Sequence, residues 1–225
     1  MTGKDILINI ENLKSFKTLK REWNTLLLDK YLRKIHGLRY RRFKRVLLNP
    51  KNMQIKTLSS PIFYQSKITN IKYGGINRKF GSINKRTLGN KFLKNLITFN
   101  FNNLPLTRKQ LNYSWEIGIH LIRIIARAKN EGKPSPEGVH KDGHEFISIH
   151  LIKRDNARGG VTEIFDKDNN LVIQKLLKSQ LDSVYINDKK MLHYVSAFSP
   201  INKKRSSIRD VLIMDFSKYK ELRNL

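Results

Sequence analysis

An α+β fold, with a pair of β-sheets or a small barrel backed by helices, is what this sequence predicts. Three observations point there. Apolar residues in the first half recur at helical spacing, the texture beyond about residue 134 changes to short strand-like runs, and turn signals such as "DKDNN" and "SPINKK" separate those runs. A chain of 225 residues can bury one core as a single domain. Within that domain, 1–225, the sequence predicts a helix-rich supporting part with short strands (1–130) and a β-core (134–217).

Residues 6–34 place Ile10, Leu13, Phe16, Leu19, Trp23, Leu27 and Tyr31 at helical spacing, which predicts an amphipathic helix or helix pair packing on the core. From 38 to 66, "RVLL", "MQIKTL" and "PIFYQ", broken by Pro50 and Pro61, predict strands. Residues 70–84 hold three glycines and no period, and so predict a loop. Helical spacing returns at about 87–98 and over 108–129, where Leu111, Trp115, Gly118, Leu121, Ile122, Ile125 and Ala126 form one stripe. The prolines and glycines of "EGKPSPEG" end that helix. Then come the strand-like "HEFISIHLI", "GGVTEIFD", "SVYIND", "MLHYVSAF" and "RDVLIMDF", with a short helix predicted at about 172–181.

The chain has no cysteine, which excludes disulfides, thiolate metal sites and cysteine nucleophiles, and makes a reducing, cytoplasmic setting the expectation. The N-terminal "ILINI" is short and flanked by Asp5 and Glu11, unlike a signal peptide. Without an apolar run near the roughly 18–20 residues that span a bilayer, no membrane partner is expected. The net charge is +27 and uneven: residues 1–103 hold 23 Lys/Arg against 4 Asp/Glu, and the remainder 22 against 14. Stretches such as "LRYRRFKR" would suit a polyanion, and nucleic acid is the obvious one. A solvated lysine-rich surface accounts for the same excess, and no nucleic-acid recognition motif accompanies it.

Chemistry concentrates in "PEGVHKDGHEFISIHLIKRDNARGG", residues 136–160. Two apart on a strand, His140 and Asp142 would face the same side and could grip one divalent ion. His193, in the strand-like "KKMLHYVSAF", offers a second imidazole. Two imidazoles and one carboxylate leave coordination positions open, which suits non-haem Fe(II) and oxygen chemistry. Arg209 follows in "SIRDVLIMDF". A buried Arg needs a partner, and a carboxylate gripped by two parallel hydrogen bonds is its natural one. An open zinc site for hydrolysis is the rival reading of the same ligands, though it gives Arg209 no duty.

On these residues the sequence resembles the bacterial Fe(II)/2-oxoglutarate-dependent dioxygenases that hydroxylate free L-amino acids. The resemblance runs through "PSPEGVHKDGHEFISIHLIKRDNARGGVTEIFD" and "DSVYINDKKMLHYVSAFSPI" to "RDVLIMDF", and more loosely through "DKYLRKIHGLRYRRFKR", "QSKITNIKYGGINRKF" and "IGIHLIRIIARA", or about residues 29–216. It implies a double-stranded β-helix of jelly-roll type with N-terminal and flanking helices. It also implies Fe(II) held by His140, Asp142 and His193, 2-oxoglutarate held by Arg209, and O2 as oxidant. The implied products are a hydroxylated small molecule, succinate and CO2. On this reading Ile147, Ile149 and Leu151 pack against the helices, and Gly159 and Gly160 end the metal strand in a tight turn.

Other residues take supporting roles. His144 and His150 have the strand parity of His140 and are expected beside the metal site or in the core rather than on the metal. His120 in the predicted helix and His36 in the basic segment have no carboxylate at ligand spacing. Arg205 is the rival to Arg209 but sits in the turn-like "NKKRSS". Arg154, Asn156, Gln65, Asn70 and Arg78 match the family's pattern. Arg78 and Glu137 could meet a substrate's carboxylate and ammonium, or merely close loops. Two alternatives stay open: the same chemistry on a macromolecular polyanion, or a non-enzymatic basic binding module on a degenerate oxygenase scaffold. The oligomeric state is not legible.

Overall fold

The computed structural model describes residues 13–32, 38–59 and 62–219. The predicted helical face upstream of Leu13 and His36 lie outside the described residues. The N-terminal prediction holds in part. A helix α1 (Leu13–Lys20) runs into a 3₁₀ turn (Arg21–Thr25), and strand β1 (Leu27–Leu28) follows in place of a second helix. The region predicted as strands contains β2 (Leu38–Asn49), β3 (Gln54–Thr57) and β4 (Ile62–Phe63). Two-residue strands β5 (Arg78–Lys79) and β6 (Gly81–Ser82) interrupt the predicted loop. Helices α2 (Lys85–Leu88) and α3 (Lys91–Asn102) then begin at Asn84 and Asn90, whose side chains accept the amide hydrogens of Thr87 and Leu93.

Residues 108–129 are not a helix. Their centre is β7 (Trp115–Ala126), paired along its whole length with β15 (Ser207–Lys218) on one side and through residues 115–125 with β2 on the other. The apolar run "IGIHLIRIIA" is buried on both faces. A strand buried on both faces loses its two-residue alternation and matches a helical stripe by default, so the β-branched isoleucines were the better guide. The helix predicted at 172–181 is also absent. There β11 (Leu171–Lys175) pairs with β10 (Thr162–Phe165) after a turn in which Asp166 accepts the amides of Asp168 and Asn170.

The remaining strands are β8 (Phe146–Asp155), β9 (Ala157–Gly159), β12 (Ser183–Asn187), β13 (Leu192–Val195) and β14 (Phe198–Pro200). The larger sheet runs β1-β2-β7-β15-β8-β12, with β3 and β6 also on β2, and is antiparallel except at the β2–β6 pair. Facing it are the smaller sheet β11-β10-β13 and the pair β14-β9. The α+β prediction with a jelly-roll core is borne out. No helix among the described residues is long and apolar enough to cross a membrane.

Each long strand of the larger sheet divides its side chains between two layers. Trp115, Ile117, Ile119 and Leu121 of β7 join Leu212, Met214 and Phe216 of β15 against Phe16 and Leu19 of α1 and Phe92, Leu96 and Phe101 of α3. The alternate residues Ile122, Ile124, Val211, Ile147, Ile149 and Leu151 meet Ile164 and Phe198 of the small sheets. Each such buried side chain contributes about 1.5–3 kcal/mol. Ile147, Ile149 and Leu151 therefore line the space between the sheets and correct the expectation that they pack on the helices. The helix side of β8 carries Ser148, His150 and Ile152 instead.

Candidate metal centre

The cleft between the sheets is lined by the inward residues of β2, β7, β15 and β13 and by the loops before β5 and β8. His140, Asp142, His193 and Arg209 all line it. One ligand atom from each of His140, Asp142 and His193 can be chosen so that all three lie within 4.8 Å of one another.

His140 and Asp142 do not reach this point as neighbours on a strand face. They lie in the segment ahead of β8, which begins only at Phe146. His140 forms an isolated antiparallel bridge with His193 of β13, through hydrogen bonds of 3.0 Å and 2.8 Å. That bridge brings the two ring centroids to 4.3 Å. His140 Nδ1 donates to the Gly138 carbonyl at 2.9 Å, leaving Nε2 to face Asp142 Oδ1 at 3.4 Å and Glu137 Oε1 at 3.0 Å. His193 Nε2 lies 3.6 Å from Asp142 Oδ2.

Asp142 is held by two residues. Gln65 Nε2 donates to its Oδ1 at 3.0 Å. Asp188, beneath it, accepts the backbone amides of Asp142 (3.1 Å), Gly143 (2.7 Å) and His144 (2.9 Å). Three successive amides converge on one carboxylate only because Gly143 takes φ +91°. Asp188 was missed in the sequence because "YINDKK" reads as an ordinary acidic turn; nothing local announces a buried carboxylate. Its Oδ1 also lies 3.7 Å from His193 Nδ1.

The electrostatics are those of a dense charge cluster. Burial disfavours the His140 imidazolium, but Asp142 and Glu137 outweigh it and raise the pKa to about 9. Burial pushes Asp142 up, yet the three histidines around it hold it well below the usual carboxylate range. Burial lowers His193. Burial and the charge of Asp142 raise Asp188.

Arg209 is 2% exposed, and its Nη2 is buried without a hydrogen-bond partner. Burial, then Arg154 and Arg39 nearby, lower its pKa to about 10. Gly160, at φ +72°, lets the chain pass beside it: a Cβ there would lie 3.6 Å from Arg209 Cδ and 3.3 Å from Arg154 Nη1. Gly159, at φ +85°, sits so close to the Ala197 carbonyl that a Cβ would be 2.3 Å from it. Gly159 closes β9 and Gly160 follows it, so neither ends β8, which stops at Asp155. Arg205, the rival anchor, is exposed and 3.5 Å from Asp155.

The supporting residues divide. Arg154 donates to the carbonyls of Ala157 and Gly159, and Asn156 to those of Asn202, Arg205 and Ser206, so both close loops. Asn70 donates to Gln65 Oε1 at 3.4 Å. His144 lines the cleft with Nδ1 on Ser217 Oγ at 2.8 Å, whereas His150 faces α3. His120 sits on β7, not on a helix. Arg41 Nη2 donates to its Nδ1 at 2.5 Å, so Nε2 carries the proton that it donates to Asp215 Oδ2 at 2.6 Å. Burial, then Arg41, push its pKa down to about 4. Neither Arg41 nor Asp215 stood out in the sequence.

Comparison with known proteins finds relatives over most of the chain. The chain is 30% identical over 164 residues to an L-isoleucine-4-hydroxylase of Bacillus thuringiensis, covering 71% of this chain and 66% of that protein. It is 25% identical over 214 residues to a 3(1)-hydroxy-L-isoleucine 4-dioxygenase of Pantoea ananatis, covering 93% and 83%. The crystal structure of IDO from Bacillus thuringiensis has the same fold, with a TM-score of 0.79 and 22% identity over 98% of this chain and 93% of that one. The model of the 2OG-Fe dioxygenase family matches residues 20–215, and the chain belongs to that family of iron- and 2-oxoglutarate-dependent enzymes.

Proposed function

We propose that this protein is an Fe(II)- and 2-oxoglutarate-dependent dioxygenase that hydroxylates a free L-amino acid or a similarly small metabolite, with succinate and CO2 as co-products. The observation that carries the reading is the meeting, in one cleft, of three ligand atoms with an orphaned buried guanidinium. The donor set fits iron: two imidazoles and one carboxylate, with no thiolate in the chain. Arg209 fits a carboxylate, since its unpaired Nη2 is costly until an anion supplies an acceptor. The names of two relatives, an L-isoleucine-4-hydroxylase and a 3(1)-hydroxy-L-isoleucine 4-dioxygenase, support an amino-acid substrate.

His140, Asp142 and His193 would hold the iron, and Arg209 the distal carboxylate of 2-oxoglutarate. Bound together with O2, these groups supply the oxidising power to hydroxylate an unactivated C–H bond. The chain's own contribution is positional. The His140–Gly138 hydrogen bond sets the imidazole's tautomer, and Asp188 and Gln65 orient Asp142.

The test is a panel of the common amino acids with Fe(II), 2-oxoglutarate and oxygen. Succinate release and a product heavier by one oxygen atom are expected for at least one of them. Arg209→Met should raise the 2-oxoglutarate concentration for half-saturation by about tenfold or more. Failure to bind either Fe(II) or 2-oxoglutarate, with no turnover on any amino acid, removes the reading.

A further inference from the structure

Two more buried guanidinium groups face the same cleft from its other wall. Arg41, inward on β2, and Arg78, on β5, are 7% and 5% exposed. They lie against one aromatic ring, each 4.8 Å from the Phe63 centroid, and Arg41 is also 4.2 Å from that of Phe80. Their described hydrogen bonds go to neutral acceptors: Arg41 to His120 Nδ1, and Arg78 Nη2 to Gln65 Oε1 at 2.6 Å. The Nε of each is buried without a partner. Asp29, 3.9 Å from their neighbour Arg39, acts on both through space, as do Asp142 and, for Arg78, Glu137, but no described hydrogen bond or ion pair joins either guanidinium to a carboxylate. Two like charges beside one ring and away from water are costly unless an anion joins them.

We infer that Arg41 and Arg78 form a second anion seat, distinct from Arg209, and that it holds the carboxylate of the substrate. The inference rests on the dioxygenase reading and deepens it. Gln65 sets the placement. It accepts from Arg78 through one side-chain atom and donates to Asp142 through the other, so the seat lies one side chain away from a candidate metal ligand. Arg209 is on β15, with Arg154 and Arg39 as its charged neighbours. A small acid held by Arg41 and Arg78 would therefore present its remaining carbons beside Asp142 without competing for Arg209. The Phe63 ring lies against both guanidiniums and the Phe80 ring against that of Arg41, and the unpartnered Nε of each remains for a carboxylate.

The test compares each common L-amino acid with its C-terminal amide, by calorimetry on protein loaded anaerobically with Fe(II) and 2-oxoglutarate. At least one acid should bind, and its amide should bind about tenfold or more weakly. Arg78→Gln should erase that difference and leave 2-oxoglutarate affinity unchanged, whereas Arg209→Met should lose 2-oxoglutarate. Should Arg78→Gln fail to fold, Arg78→Lys keeps the charge without the two-pronged donor, and should weaken the acid while sparing the amide. Equal binding of acid and amide, no binding by any acid, or a loss of 2-oxoglutarate in Arg78→Gln matching that in Arg209→Met would each overturn the seat. Absence of 2-oxoglutarate binding in the wild type would instead overturn the underlying reading as well.

Discussion

Asp188 is the residue on which the geometry of the candidate metal centre turns. It touches no candidate ligand atom closer than 3.7 Å, yet it gathers the amides of residues 142 to 144 and so sets where Asp142 points. Asp188→Ala should weaken Fe(II) binding about 10- to 100-fold, in line with the loss of other groups that orient ligands. Asp188→Asn, which keeps one acceptor oxygen, should fall between. Metal titration checks this, and unchanged affinity in Asp188→Ala would remove its positioning role. The candidate ligands themselves were legible because a His-x-Asp pair, a distant His and a strand Arg are rare together. Asp188, Arg41 and Asp215 were not, because a buried charge is defined by what surrounds it, and one sequence does not show surroundings.

At the scale of the element, β8 shows how one strand serves two layers. Its inward isoleucines line the space between the sheets, while outward Ser148 and His150 meet Asn100 of α3, whose amide donates to both. His150 Nδ1 lies 2.6 Å from Ser183 Oγ, and with no carboxylate in contact its burial lowers the pKa to about 3. His120 on β7 is lowered to about 4. Both fall below the ordinary 6.5, so between pH 6.5 and about 4 the unfolded chain binds more protons than the folded one. Their contribution to stability is complete above pH 6.5 and is lost as pH falls, by up to about 1.4 kcal/mol per pH unit for each histidine. His140, raised to about 9, takes up its extra folded-state proton mainly between pH 9 and 6.5, so between pH 7 and 5 it adds only a small opposing gain. Urea unfolding at pH 7 and pH 5 should show the loss, and His150→Gln should reduce it. A flat profile across that interval would contradict the account.

At the scale of the molecule, the division into a helical support and a β-core does not describe two separable parts. One apolar cluster joins Phe16 and Trp23 near the start, Phe92 and Leu96 of α3, Trp115 of β7 and Phe216 near the end. The strand bearing Arg209 lies between β7 and β8, so residues 134–217 alone would lack one whole neighbour of β15. We expect a single cooperative transition on thermal unfolding, coincident by tryptophan fluorescence and far-ultraviolet circular dichroism, and no folded product from residues 134–217 alone. Two separated transitions would show instead that the two parts fold independently. The basic excess of the first half also reads differently at this scale. Arg39 and Arg41, in the run that suggested a polyanion-binding face, point into the cleft because β2 alternates its side chains across the sheet.

Residue types and their order pointed to a sheet pair or small barrel and to the set of candidate ligands, since metal chemistry demands particular side chains at particular intervals, and the jelly-roll core followed from the family those residues resemble. Whether "IGIHLIRIIA" coils or extends was decided by tertiary structure, because a segment buried on every side carries no period of its own and takes its form from the strands flanking it. Tertiary structure also decided how His140 and Asp142 meet His193, through a backbone bridge and the amide grip of Asp188, and which arginines leave solvent for the cleft. Those outcomes depend on contacts between residues dozens of positions apart, which only the folded chain brings within hydrogen-bonding distance.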